Sequence, residues 1–351
     1  MNMTADENSI VIGTETEYVL YQISRPSLWT PTETVWRRRL SAAELHQVIL
    51  SLPEFNHVRE SAPSEITIGP GFFIHTAGRI YVDGQFLEYA TPEAVSARDA
   101  TLLELQGSRV VNEAADTFAS RNGFEIEVLK SLSTWEGGGE VGYHENYGLP
   151  HKQYFELFHQ NFWPKQIVSR VLIPFLVTRA IFAGAGDVVL DKANNESHFE
   201  LSQRARYIDA VFNYSSVVKR PILHLKRPDL TDSHLRIQIT CGDVNVIDYA
   251  TFCKLGSTGV VLICLAQGFL RKLDLQIRSP VEAFRAMSRD WQSSFELDDG
   301  RRLRAIDIQE AISESVWAVQ DRVSWPLRFD WQAAMAGWRE ALGLLRREHY
   351  A

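Results

Sequence analysis

Hydrophobic and polar positions change period several times along the chain. From Ser9 to Ile23, SIVIGTETEYVLYQI is β-branched and aromatic with carboxylates at alternating positions, the pattern of a strand with one polar face. Ser41 with Glu44 three residues on forms a capping box ahead of the apolar run LHQVILSL, which predicts a helix start. After a loop with Pro63 and Pro70, FFIHTAGRIYVDGQFLEY reads as two or three short strands broken at Gly78 and Gly84. Beyond Pro92 a helical period runs from about Glu93 to Ser120 and stops at the C-cap pair Asn122-Gly123.

The middle of the chain mixes strand-like FEIEVLKSL, VGYHENYGL and HLRIQITCG with helical YFELFHQNFW, QIVSRVLIPFLV and TFCKLGSTGVVLICLAQGFL. Without strict βαβ alternation, this predicts an α+β fold with a mainly antiparallel sheet packed against helices. From residue 279 the pattern is helical, with a capping box and Pro at the first helical position in Ser279-Pro280-Val281-Glu282, then helices near 305–324 and 329–347. No repeat of roughly 20–50 residues and no separating linker is visible. The expected organisation is one catalytic domain over 1–351 with a helical C-terminal portion, 279–351.

Composition narrows the function. Of 351 residues, 45% are hydrophobic and 23% charged, and the 18 Phe, 11 Tyr and 9 Trp exclude a disordered chain. With 36 Lys+Arg against 44 Asp+Glu, the net charge of −8 argues against a nucleic-acid partner. Cys241, Cys253 and Cys264 lack CxxC spacing and read as buried thiols in a reducing compartment. The acidic N-terminus does not read as a signal peptide. The apolar stretch Val168–Leu190 is interrupted by Arg170, Pro174, Arg179 and Asp187, so it is expected to be a core segment rather than a membrane span, in a cytoplasmic protein.

Four segments carry candidate chemistry. In GTETEY, Glu15 and Glu17 lie two apart on a strand and point to one face, where a hard divalent cation would relieve their repulsion. In GRIYVDGQFLEYATPE, Arg79, Tyr81 and Asp83 share a face, Glu88 returns after the Gly84 turn, and Thr91 follows. A carboxylate placed there beside metal-bound phosphates can act as general base or nucleophile. GYHENYGL sets His144 and Asn146 on one strand face and Glu145 on the other, and SQRARYI, RPI and SHLRIQITCGDVN supply Arg204, Arg206, Arg220 and Arg236, residues suited to clamp phosphates or carboxylates. Each segment has an ordinary reading as well: a solvated strand face, an exposed Arg–Asp pair, a structural histidine, solvated arginines. No GxxxxGK[ST], no GxGxxG between strand and helix and no GxSxG occurs, and GAG at 184–186 is too short to count, so P-loop, Rossmann and hydrolase-elbow sites are not indicated.

In order, GTETEY, GRIYVD with EYATPE, YHENY, SQRARYI, and RPI with HLRIQITCGDVN resemble the Pup ligase and Pup deamidase/depupylase family of carboxylate–amine ligases, over residues 13 to about 265. Weaker similarity continues into SWPLRFDWQAAMAGWREAL. The resemblance implies a glutamine-synthetase-like fold, a curved antiparallel sheet cradling ATP and Mg²⁺, here without the family's small C-terminal domain. It implies action on the glutamate or glutamine side chain of Pup, a small protein tag, or of a related small protein or metabolite. By motif position it implies metal ligation by Glu15, Glu17, Tyr81, Glu88 and His144, and ATP contacts from Arg79 and Thr91. Arg204, Arg220 and Arg236 are expected at phosphates or the substrate carboxylate, and Asp83 is the expected catalytic group. The cleavage direction, amide hydrolysis with the nucleotide not consumed, is favoured. Ligation through an acyl phosphate, with Asp83 deprotonating the amine, and an inactive tag-binding homologue are the alternatives.

Overall fold

The computed structural model describes residues 9–24, 36–53, 57–59, 71–74, 76–134, 141–191, 196–215 and 218–348. The Pro63 and Pro70 loop lies outside them. Contacts divide the chain into two compact units: a smaller one of Gly13–Pro92 and Leu102–Tyr143, and a larger one of Met1–Ile12, Glu93–Thr101 and His144–Ala351.

The smaller unit is built on β1 (Val11–Ser24), whose alternation buries Thr14, Thr16 and Tyr18 while Glu15 and Glu17 stay half-buried on the other face. Its elements follow as β2 (Trp36–Arg39), α1 (Ala42–Leu50), β3 (His57–Arg59), β4 (Phe72–Ile74), β5 (Arg79–Asp83), β6 (Phe86–Ala90), α2 (Ala97–Asn122, its start through Thr101 counted with the larger unit) and β7 (Glu125–Leu129). All pairings here are antiparallel: β3–β4–β5–β6–β1 in succession, with β2 and β7 on the second half of β1. The expected Ser41–Glu44 capping box opens α1. Tyr18 and Leu20 of β1, Ile80 and Val82 of β5 and Leu87 and Tyr89 of β6 form one core with Leu45 and Val48 of α1 and Val111 and Ala115 of α2. Burying that apolar surface is what holds the sheet face down and leaves the opposite face for chemistry.

The larger unit contains β8 (Tyr143–Pro150, its first residue counted with the smaller unit), α3 (His151–Leu157), a π-turn (Val168–Leu172), α4 (Ile173–Thr178), α5 (Ala180–Ala183), β9 (Asp187–Asp191) and β10 (Glu196–Glu200). It continues with a 3₁₀ turn (Ala205–Tyr207), β11 (Ala210–Asn213), β12 (Pro221–His224), β13 (His234–Ile239), α6 (Asp248–Ala266), α7 (Pro280–Arg289), β14 (Ser294–Glu296), β15 (Arg302–Arg304), α8 (Ala305–Val319) and α9 (Trp331–Glu348). β8, β13 and β12 pair antiparallel, while β11 joins β12 in parallel, so the whole is α+β with one parallel exception to the expected pairing. Trp338 of α9 is fully buried, donates from Nε1 to Gln309 and meets Phe175 edge-on at 5.5 Å, which docks the C-terminal helix into the core.

Several local expectations shift for identifiable reasons. α2 starts at Ala97 rather than Glu93, because Ser96 caps it and the Asp330 carboxylate accepts from the amides of Ala97 and Arg98, donors a helix start leaves open. Ser279 makes no side-chain cap: its backbone sits at φ −130°, ψ 78°, away from the −71°, 161° of Ser41. The π-turn precedes Pro174, which has no amide to give Arg170, and the Arg170 carbonyl instead accepts from Leu275. The apolar stretch 168–190 is core only to Ala183, since Val188 and Leu190 on β9 are exposed. Among the described residues, α6 is the helix long and apolar enough to cross a membrane, and most of it is buried inside the protein as a core helix.

Candidate active site

The β5–β6 hairpin sets the register of the site. Asp83 pairs with Phe86 across the two-residue turn Gly84-Gln85, and Gly84 adopts φ +57°, a left-handed conformation that costs a glycine little. That register places Tyr81 opposite Glu88, and β1 in turn places Glu17 opposite the same Glu88. Directly opposed residues project to one face. Tyr81, Glu88 and Glu17 therefore form a row across three strands, and Arg79, Ala90 and Glu15 form the next.

Side-chain geometry gathers this row into a cluster. Ligand oxygens of Glu17, Asp83 and Glu88 lie within 4.8 Å of one another. Glu88 is 4% exposed and accepts the Tyr81 hydroxyl at 2.6 Å. Burial, then the charges of Glu15 and Glu17, push its carboxyl well above the usual range against that hydrogen bond, with Asp83 adding to the rise. Burial likewise raises the Tyr81 phenol, helped by Glu88 and Glu15, so it stays a protonated donor. The Arg79 guanidinium lies 4.2 Å from the centre of the Tyr81 ring. Glu17 is gripped by Gly142, whose amide donates to the carboxylate in a short bond and whose carbonyl accepts the Glu17 amide at 3.2 Å. Thr91 clips the end of β6 to β1: its Oγ1 accepts the Thr14 amide at 2.9 Å and its amide donates to the Thr14 carbonyl.

Three carboxylates with oxygens this close, one of them driven toward protonation by its neighbours, suit a hard divalent cation such as Mg²⁺, which replaces the repulsion by coordination. The structure thus brings Glu15, Glu17, Arg79, Tyr81, Asp83 and Glu88 together in the smaller unit, with Asp83, expected as catalytic, inside the acidic cluster.

The other expected residues belong to the larger unit. His144 and Asn146 alternate with buried Glu145 on β8, and the β8–β13 register puts Asn146 opposite Gln238 and Gly148 opposite Arg236, so His144, Asn146, Arg236 and Gln238 share a face. Arg220, half-buried, precedes β12, and its carbonyl accepts the amides of Asp209 and Ala210. Arg204 is 2% exposed and its Nε donates to the Thr240 carbonyl at 3.0 Å, a bracing contact inside the fold. Arg206 bonds Asp187 and lies over the Tyr207 ring. Sequence reasoning missed Gly142, whose only local signal is a glycine just before the YHENY strand.

The family model described as Pup-ligase protein matches residues 10–351. A depupylase from Acidothermus cellulolyticus is 36% identical over 279 residues, covering 76% of this chain and 53% of the relative. The chain thus spans about half the length of that curated relative. Among solved structures, the complex between the prokaryotic ubiquitin-like protein Pup and its ligase PafA is similar at TM-score 0.75 and 22% identity, covering 96% of this chain and 64% of that one. PafA in complex with ADP is similar at TM-score 0.67 and 21% identity, covering 93% and 70%. At these identities the structures show the fold, and the match of the family model over nearly the whole chain shows more: this chain belongs to the Pup-ligase protein family.

Proposed function

We propose that the chain carries the catalytic fold of a nucleotide- and Mg²⁺-dependent enzyme acting on the glutamate or glutamine side-chain amide of a Pup-like protein tag in the cytoplasm, in the hydrolytic, deamidase/depupylase direction. The observation that carries the reading is the cluster of Glu17, Asp83 and Glu88 beside Glu15 and Tyr81 on one sheet face. The hydrolytic direction is supported by the depupylase relative at 36% identity. A second reading, ligation, is supported by the likeness to PafA.

In this reading Glu15, Glu17 and Glu88 would hold the cation. Tyr81 keeps Glu88 oriented by donating to it. Arg79 and Thr91 would contact the nucleotide. In the larger unit, Arg220 and Arg236 would hold phosphates or the substrate carboxylate, and Arg204 donates to the Thr240 carbonyl. When bound, the cation supplies positive charge where an oxygen of the reacting group turns negative. Asp83 takes the proton of the attacking water as its oxygen bonds to the side-chain carbonyl carbon, and returns it to the departing nitrogen as the carbon–nitrogen bond breaks. Ligation uses the same base on the incoming amine.

Incubation with Mg²⁺-ATP and a Pup-like peptide ending in Gln or Glu, read by peptide mass and phosphate release, tests this. Conversion of Gln to Glu without net ATP turnover is expected. Adduct formation with phosphate release would establish the ligase direction, and absence of nucleotide binding would overturn both. Asp83→Asn should slow turnover roughly 100- to 10,000-fold while leaving the fold intact. Unchanged turnover would favour the inactive tag-binding alternative.

A further inference from the structure

Glu17 is bonded by Gly142, which lies between two fully buried residues. Val141 is fully buried against Val19 and Tyr21 of β1. Gly142 both accepts from the Glu17 amide and donates to the Glu17 carboxylate. A Cβ on Gly142 would stand 2.6 Å from Glu17 Oε1, so the approach is possible only for glycine. Tyr143 is fully buried, and its hydroxyl donates to Glu104 of α2 at 2.9 Å. Glu104 is 1% exposed, and its other oxygen takes the Lys130 ammonium at 3.0 Å. A carboxylate so deeply buried needs its partners, and a phenol and an ammonium supply them. All of these residues belong to the smaller unit.

We propose that Tyr143 and Glu104 are positioning residues for the divalent-cation site: their hydrogen bond anchors the chain at Gly142, so that the Gly142 amide fixes one Glu17 oxygen and turns the other toward Asp83 and Glu88. The inference rests on the reading of Glu17, Asp83 and Glu88 as a cation site. Its physical basis is general: groups that hydrogen-bond a coordinating carboxylate set its orientation, and their loss weakens metal binding without removing a ligand.

The test is Mn²⁺ binding, followed by the loss of the free-ion electron paramagnetic resonance signal, on the whole chain and two variants. Tyr143→Phe keeps the ring and the Glu104–Lys130 pair but frees Gly142; it should weaken Mn²⁺ binding by roughly 10-fold. Ser51→Ala is the control, since it removes a buried hydroxyl of the same unit that donates to the Gln47 carbonyl of α1 at 2.9 Å, and Mn²⁺ affinity should not change. Equal affinity in Tyr143→Phe and wild type, or equal losses in both variants, would overturn the inference. No Mn²⁺ binding by the wild type would instead overturn the cation-site reading beneath it. Should Tyr143→Phe fold poorly, Gly142→Ala offers a second check, with a greater expected loss because its methyl displaces Glu17 directly.

Discussion

Two regions treat their acidic side chains in opposite ways. In the larger unit, Glu145 is fully buried but receives the Arg179 guanidinium through both oxygens, and the Tyr147 hydroxyl as well, while Arg179 also donates to Thr258. Asp243, 3% exposed, collects the Ala185, Gln203 and Arg204 amides and the Ser202 hydroxyl; burial raises its pKa and these donors oppose the rise. In the smaller unit, Glu88 is nearly as buried, yet the ionisable groups that act on it are Glu15, Glu17, Asp83 and the Tyr81 phenol. The first arrangement closes a fold on itself. The second concentrates negative charge that, in the proposed reading, a cation completes; the groups around a buried carboxylate distinguish the two cases where burial alone does not.

Arg179→Ala leaves Glu145 charged in the core and should cost about 3–5 kcal/mol in urea denaturation, with or without Mg²⁺. A cost under about 1 kcal/mol would mean that Glu145 is not held by that pair. Glu88→Gln should act with the opposite sign, removing the cost of holding a buried carboxyl among like charges and raising the melting temperature of the metal-free protein by a few degrees. A lower melting temperature would show Glu88 to be structural after all.

The smallest effect sharpens the contrast from the side of a surface network. Asp307 is partly buried, which opposes its charge, but hydrogen bonds from Arg304 and Arg346 win and hold its carboxyl down to about 2. Its folded value lies below the ordinary 3.8, so its stabilisation is full above that value and is lost as pH falls toward about 2. Asp307→Asn should remove about 0.5–1 kcal/mol at neutral pH and flatten the pH dependence of unfolding in that window. An unchanged acid limb would refute the assignment.

Much of this was legible because it is local. A period of two in GTETEY and GRIYVD, with a glycine turn between β5 and β6, suffices to set Glu15, Glu17, Tyr81, Asp83 and Glu88 on one face. What stayed hidden depends on partners far apart in sequence: the Gly142 grip on Glu17 across 125 positions, the Asp330 cap on α2 across 233, and the Leu275 amide that takes the carbonyl freed by Pro174. Ser279 shows the reverse case, a motif spelled correctly whose backbone turns the cap away.

Glu17, Asp83 and Glu88 are proposed to form a divalent-cation site. Calorimetric titration of Mg²⁺ into the wild type and into Glu17→Gln tests it most directly. Saturable binding is expected in the wild type, with at least a roughly 10-fold weaker affinity in the variant. Equal binding in both, or none in the wild type, would contradict it.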